Sequence, residues 1–161
     1  MSKTFLIGSC EPFSGKSALV LGIARNLIAS NHLVRFGKPL ATSLELNVSE
    51  RGDIQEMIDD DVRFVGETLK LSVENLIPSI QFLGASTASK RIQSKSLDPG
   101  IEFDKLKLSL DSSGDTINIL EAAGSLHEGL LYGLSLSQLA KGLNAKVLLA
   151  HFWQDSRSVE A

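Results

Sequence analysis

The chain has 161 residues, 43% of them hydrophobic and 22% charged, enough apolar material for one continuous core, and we expect residues 1–161 to form a single domain. A formal net charge of -3 offers no basic field for a phosphate backbone, which argues against nucleic-acid binding and leaves small anions to a local site. One cysteine, Cys10, excludes an intramolecular disulfide and the multi-cysteine zinc sites. The longest apolar stretch, Ala18 to Ala24, falls far short of the roughly 20 residues that span a bilayer. With no secretory pattern at Met1 to Thr4, we expect a cytoplasmic chain that makes no use of a membrane.

Thr4 to Gly8 reads as a short buried strand, and after a turn rich in Gly, Ser and Pro a helical pattern runs from near Gly15 to Ser30 and Asn31. Leu33 to Pro39 reads as a second strand, separated from the first by a helix of crossover length, so a parallel pair is expected. Thr42 to Gly52 is polar and loop-like. Asp60 to Leu71 places Val62, Val65 and Leu69 on one side at helical spacing behind an acidic start.

Between Ser72 and Gly100 the pattern is irregular, and Ser86 to Ser96 reads as solvated and mobile. Ile101 to Leu110 suits an amphipathic helix better than an edge strand. Thr116 to Leu120 is a β-branched apolar run that delivers Glu121 to its C-terminal end, the pattern of a central strand. Ser135 to Leu143 reads as a short helix and Lys146 to Phe152 as another buried strand. Asp155 to Ser158 resembles the cap of a helix that barely starts, so the sheet is expected to be incomplete at its C-terminal end.

The run Cys10-Glu11-Pro12-Phe13-Ser14-Gly15-Lys16-Ser17 ends in the Gly-Lys-Ser of a nucleoside-triphosphate phosphate loop, placed after a buried strand and at the opening of a helix. Backbone N–H groups of Ser14 to Ser17 would surround the phosphates, with the helix dipole behind them. Lys16 would reach the β and γ oxygens, and the Ser17 hydroxyl would ligate Mg²⁺. Cys10 stands where the strict spacing wants glycine, and a small loop residue is the plainer reading of it than a nucleophile. A carboxylate at the end of a strand as apolar as Thr116 to Leu120 needs a metal, a donor or water if it is buried.

The order of phosphate loop, Gly37-Lys38-Pro39-Leu40-Ala41-Thr42, acidic helix start, and Leu120-Glu121-Ala122-Ala123-Gly124 resembles dethiobiotin synthetase and its relatives among cobyrinate amidating synthases and MinD/ParA-type ATPases. Closest in pattern, through Gly-Ser-Cys-Glu-Pro-Phe-Ser-Gly-Lys-Ser and Phe-Gly-Lys-Pro-Leu, is the dethiobiotin-synthetase-like domain that precedes a DRTGG domain in bacterial, particularly cyanobacterial, proteins of the phosphotransacetylase family. The resemblance implies an α/β phosphate-loop NTPase fold, a parallel sheet with helices on both faces. It implies ATP and Mg²⁺ as ligands, Ser14, Gly15, Lys16, Ser17 and Thr42 as nucleotide-binding residues, and Ser17, Asp61 and Glu121 around the metal. Asp59 and Asp60 compete with Asp61 for that role, and a solvated helix start is the plainer reading of the three together. Lys16 and Lys38 would be the catalytic cations, with Lys38 near the transferring phosphoryl group, although a lysine at a strand end could also simply reach solvent.

The Glu121 segment lacks the double glycine of true dethiobiotin synthetases, and no diamino-acid pocket is recognisable. The leading expectation is therefore a Mg²⁺-ATP-binding domain that hydrolyses ATP or transfers phosphoryl to a small acceptor. The alternative is a non-catalytic nucleotide-sensing module acting on a partner domain or subunit. A homodimer across the nucleotide face is implied by the resemblance alone. His127, His151 and Trp153 are not expected in the site; His151 and Trp153 suit packed positions at a strand end.

Overall fold

The computed structural model describes residues 3–43, 57–110 and 115–153. Five strands form a parallel sheet: β1 (Lys3–Ser9), β2 (Val34–Gly37), β4 (Leu76–Ile77), β6 (Ile117–Glu121) and β7 (Lys146–Ala150), in the order β4-β2-β6-β1-β7. Period-two alternation within the central strands sends neighbouring side chains to opposite faces. Leu6 and Leu120 enter one core, and their neighbours Ile7 and Ile119 enter the other.

Each face is closed by helices. α1 (Lys16–Ala29) and α2 (Asp60–Leu69) cover one, burying Val20, Ala24, Val62 and Val65 against Ile7, Val34, Phe36 and Ile119. α4 (Pro99–Leu110) and α5 (Leu136–Leu143) cover the other, burying Leu106, Leu110 and Leu139 against Leu6 and Leu120. Each Val, Leu, Ile or Phe side chain taken fully out of water contributes about 1.5–3 kcal/mol, and central strands with apolar residues on both faces require this double cover. The molecule is thus an α/β fold with a parallel sheet flanked by helices on both faces. Among the described residues, no helix is long and apolar enough to cross a membrane.

The topology places the site. From β1 the chain runs through α1 on one face to β2, skipping the position that β6 fills; from β6 it runs through α5 on the other face to β7, on the far side of β1. The connections diverge between β1 and β6, and in open parallel sheets such a divergence opens a crevice at the carboxyl ends of the strands. There β1 ends at Ser9 and β6 at Glu121.

Several expectations are corrected. The strands over Leu33 to Pro39 and Thr4 to Gly8 are parallel members of one sheet but not a pair, because β6 separates them and hydrogen-bonds to both. The irregular stretch from Ser72 to Gly100 contains a 3-10 turn, β4, β5 (Gln81–Phe82) and α3 (Ala85–Gln93), so Ser86 to Gln93 is helical. β5 pairs in parallel with β3 (Leu40–Ala41), a two-stranded sheet that prolongs β2 and β4 beyond the main sheet. Among the described residues β7 lies at an edge of the sheet, and Lys146 to Leu149 are exposed rather than buried. Trp153 is exposed as well, and His151 lies half-buried with Nδ1 3.8 Å from the Glu11 carboxylate. Most of the loop over Thr42 to Gly52, and the helix cap over Asp155 to Ser158, lie outside the described residues.

Candidate functional site

The β1–α1 turn is built around Gly15, whose φ of 87° is in the left-handed region, where a Cβ is strained. It caps α1 without a side-chain bond, so the first turn, Lys16 to Ala18, presents its amide end to solvent space. That space is a cavity of about 550 Å³ at the carboxyl ends of β1, β2 and β6.

All eight residues singled out from the sequence line it: Ser14, Gly15, Lys16 and Ser17 on the turn and α1, Lys38 and Thr42 after β2, Asp61 on α2, and Glu121 at the end of β6. The Lys16 ammonium is folded across the mouth, donating to Ser9 Oγ at 2.9 Å and to the Gly124 carbonyl at 3.1 Å. The Ser17 hydroxyl donates to Glu121 Oε1 at 3.4 Å, while Glu121 Oε2 is buried and has no hydrogen-bond partner among the described residues. Burial pushes the Glu121 carboxyl up to about 7; the Lys38 and Lys16 charges and the Ser17 hydroxyl only partly offset it.

Lys38 does not reach solvent. Its side chain is buried, and Nζ donates to Thr42 Oγ1 at 2.6 Å, Asp61 Oδ2 at 2.7 Å and Asp59 Oδ1 at 3.2 Å. Burial works against its charge, but the Asp61 hydrogen bond and the negative charges of Asp59, Asp61 and Glu121 outweigh this and raise its pKa.

The three acidic residues at the start of α2 separate by role. Asp59 is fully buried and caps the helix through the Asp61 amide, and it lies off the cavity lining. Asp60 accepts from the Ser43 hydroxyl. Asp61 faces the cavity and shares Lys38. Ser17 and Glu121 therefore meet directly, whereas Asp61 reaches them only across the cavity that Lys38 also lines.

Among the described residues, no group of three or more His, Cys, Asp and Glu side chains is placed to hold a metal by itself. The donor set fits Mg²⁺ bound to a phosphate ligand, which keeps its waters and takes only one or two protein oxygens. A hydroxyl at the helix start and an unpartnered buried carboxylate oxygen are two such donors. Sequence reasoning missed Ser9 and Glu128, and it offered Asp59 only as a competitor of Asp61 for the metal. Ser9 is the buried acceptor for Lys16, and Glu128 lines the cavity beside Gly124, where a Cβ would stand 2.6 Å from its carboxylate. Glu128 belongs to no local motif and only the fold brings it to the cavity, whereas Ser9 lies in the run that opens the phosphate loop and acts through Lys16.

No family model matches the chain, and no curated protein matches it. Among solved structures it is similar to the signal recognition particle receptor FtsY from Elizabethkingia anophelis in complex with GDP, with a TM-score of 0.48 and 15% sequence identity. The likeness covers 92% of this chain and 40% of that one, so the chain spans less than half the length of that structure.

Proposed function

We propose that the chain is a Mg²⁺-ATP-binding phosphate-loop domain of the dethiobiotin-synthetase-like class, which arranges the triphosphate for hydrolysis or for phosphoryl transfer to a small acceptor. The observation that carries this reading is the meeting of Ser17 at the start of α1 with the buried, half-satisfied Glu121 carboxylate at the end of β6. A buried carboxylate costs several kcal/mol when it is incompletely paired, and the Lys38, Lys16 and Ser17 groups offset the burial of Glu121 only in part, so its place beside a helix start suits a further cation.

In this reading the amides of Ser14 to Ser17 receive phosphate oxygens, and Lys16 exchanges its hold on Ser9 and Gly124 for the β and γ oxygens. Ser17 and Glu121 hold the metal, with Asp61 across the cavity as a further carboxylate. Bound Mg²⁺ supplies charge neutralisation on the triphosphate. Thr42 borders the nucleotide, and Lys38 faces the transferring group, so catalysis would rest on positioning and on charge. ATP as the nucleotide, a small-molecule acceptor and pairing of two copies come with the sequence resemblance, a cytoplasmic setting comes from the N-terminal sequence, and all four stand as parts of the proposal.

The test is ATP binding measured with Mg²⁺ and with chelator on the wild type, Ser17→Ala and Glu121→Gln, with GTP as competitor. Mg²⁺ is expected to tighten binding by the wild type and to have little effect on either variant, with ATP preferred. Equal metal dependence in all three proteins would overturn the assignment of the metal donors.

A second reading, a nucleotide sensor without turnover, is favoured by one feature: Lys38 already has all three ammonium donors engaged by protein acceptors. Phosphate release from saturated samples separates the two readings.

A further inference from the structure

Lys38 has three N–H donors and three protein acceptors, Thr42 Oγ1, Asp61 Oδ2 and Asp59 Oδ1. An anionic ligand in the cavity can engage this ammonium only by displacing one of them. The geometry points to Asp59 as the positioning residue that retains Lys38 in every state of the site, and to Asp61 as the partner exchanged for the ligand. The inference rests on the triphosphate reading above and deepens it.

Asp59 is committed on all sides. Its Oδ1 accepts from Lys38 Nζ and from the Asp61 amide at 2.9 Å; its Oδ2 accepts from the Thr42 amide at 2.7 Å and the Ser43 amide at 3.2 Å. A carboxylate has about four acceptor positions, and these four donors fill them. With its side chain fully buried and absent from the cavity wall, Asp59 has neither the room nor the spare lone pairs to turn toward a ligand.

Asp61 is the opposite case: its side chain is 46% exposed and lines the cavity. Swinging it away from Lys38 returns it to water at little cost, whereas removing Asp59 would strand a buried ammonium. The lysine is anchored from behind as well. Its carbonyl accepts from the buried Ser79 hydroxyl at 2.6 Å, and the next carbonyl, of Pro39, accepts from the Ile80 amide at 2.8 Å. Only the tip of the side chain is left to change partners. In the ligand-free site Asp61 thus occupies the place of a phosphoryl oxygen, and its departure frees one donor while Asp59 keeps the ammonium aimed.

The experiment has a ligand-free and a ligand-bound arm. In the first, the ¹⁵Nζ ammonium resonance of Lys38, assigned by its loss in Lys38→Arg, is recorded for the wild type, Asp59→Asn and Asp61→Asn. It should persist in the wild type and Asp61→Asn and vanish by rapid exchange in Asp59→Asn; persistence in a folded Asp59→Asn would overturn the positioning role. In the second arm, ATP is titrated in chelator. Asp61→Asn should bind about ten-fold more tightly than wild type, because an anion that blocks the donor has been removed. Unchanged or weaker chelator-bound affinity in Asp61→Asn would overturn the exchange. Because Asp61 is on the surface, this arm stands even if Asp59→Asn does not fold. A wild type that binds no ATP with or without Mg²⁺ would instead sink the triphosphate reading, and the exchange with it, while the ligand-free arm would still decide the role of Asp59.

Discussion

Glu121 is a single side chain whose burial costs stability. Its carboxyl is pushed from the ordinary 4.5 up to about 7, mainly by burial. Between those values the unfolded chain releases the proton and the folded chain keeps it, so stability falls as pH rises through this window and levels off above it. The loss amounts to about 3 kcal/mol. Glu121→Gln removes it, and urea unfolding should find the variant more stable than the ligand-free wild type near about pH 8, with the difference fading in acid. A wild type as stable as the variant at both pH values would contradict the burial cost. At this scale the sequence was informative where residue type and local spacing carry the chemistry: Gly15, Lys16 and Ser17 lie in one motif, and Glu121 closes an apolar strand. It named Asp61 with Asp59 and Asp60 as competitors and could not separate them, because adjacent acidic residues on a helix start differ only in which way the first turn faces, and that depends on where α2 docks.

Among the elements, β2 and β4 meet at a close approach that leaves no room for a Cβ. A Cβ on Gly37 would stand 2.5 Å from Ile77 Cβ and 2.6 Å from the Ile77 carbonyl oxygen. Backbone cannot yield as a flexible side chain can, so Gly37→Ala should force β2 and β4 apart and cost about 2 kcal/mol in urea unfolding. Since Lys38 is the next residue, the same change should weaken ATP binding, and a variant of wild-type stability would refute the close approach. On the other side of the sheet, α3 and α4 are tied by Arg91 Nη2 to the buried Glu102 carboxylate at 2.9 Å. Burial works to raise the Glu102 pKa, but hydrogen bonds from Gln81 and Arg91, with the Lys105 charge, outweigh it and hold the pKa below its ordinary 4.5. That contribution is present above the ordinary value and is lost as pH falls through the lowered one. Arg91→Leu should therefore cost about 3 kcal/mol at neutral pH and much less in acid, read by thermal unfolding at both.

α1 and α2 were legible from helical spacing, α4 as a helix in preference to an edge strand, and β6 from its continuous β-branched apolar run. β3, β4 and β5 were not, because strands of two residues carry no period and exist through their partners. β7 misled for a related reason: Val147, Leu148 and Leu149 form a continuous apolar run like that of a central strand, but the strand lies at an edge of the described sheet.

For the whole molecule, the candidate site follows from the divergence of connections between β1 and β6. That topology delivers the Gly15 turn and Glu121 to one crevice from residues more than a hundred positions apart, with the β3–β5 pair extending the wall toward Leu83. The parallel α/β class could be read from the alternation of strands and helices, but not the insertion of β6 between β1 and β2, which depends on long-range pairing. Ligand binding should stabilise the fold as a unit. At ATP about a hundred times above Kd with Mg²⁺ present, the gain is about 2.7 kcal/mol, seen as a rise in Tm that chelator reduces.

The most direct test of the account is calorimetric titration of Mg²⁺-ATP into the wild type and Lys16→Ala. Saturable one-site binding by the wild type, weakened about a hundred-fold in the variant, is the expected result, since one charge-assisted phosphate contact is worth about 1.5–3 kcal/mol. Identical isotherms for the two proteins, or no heat from either, would contradict the assignment of this crevice as a triphosphate site.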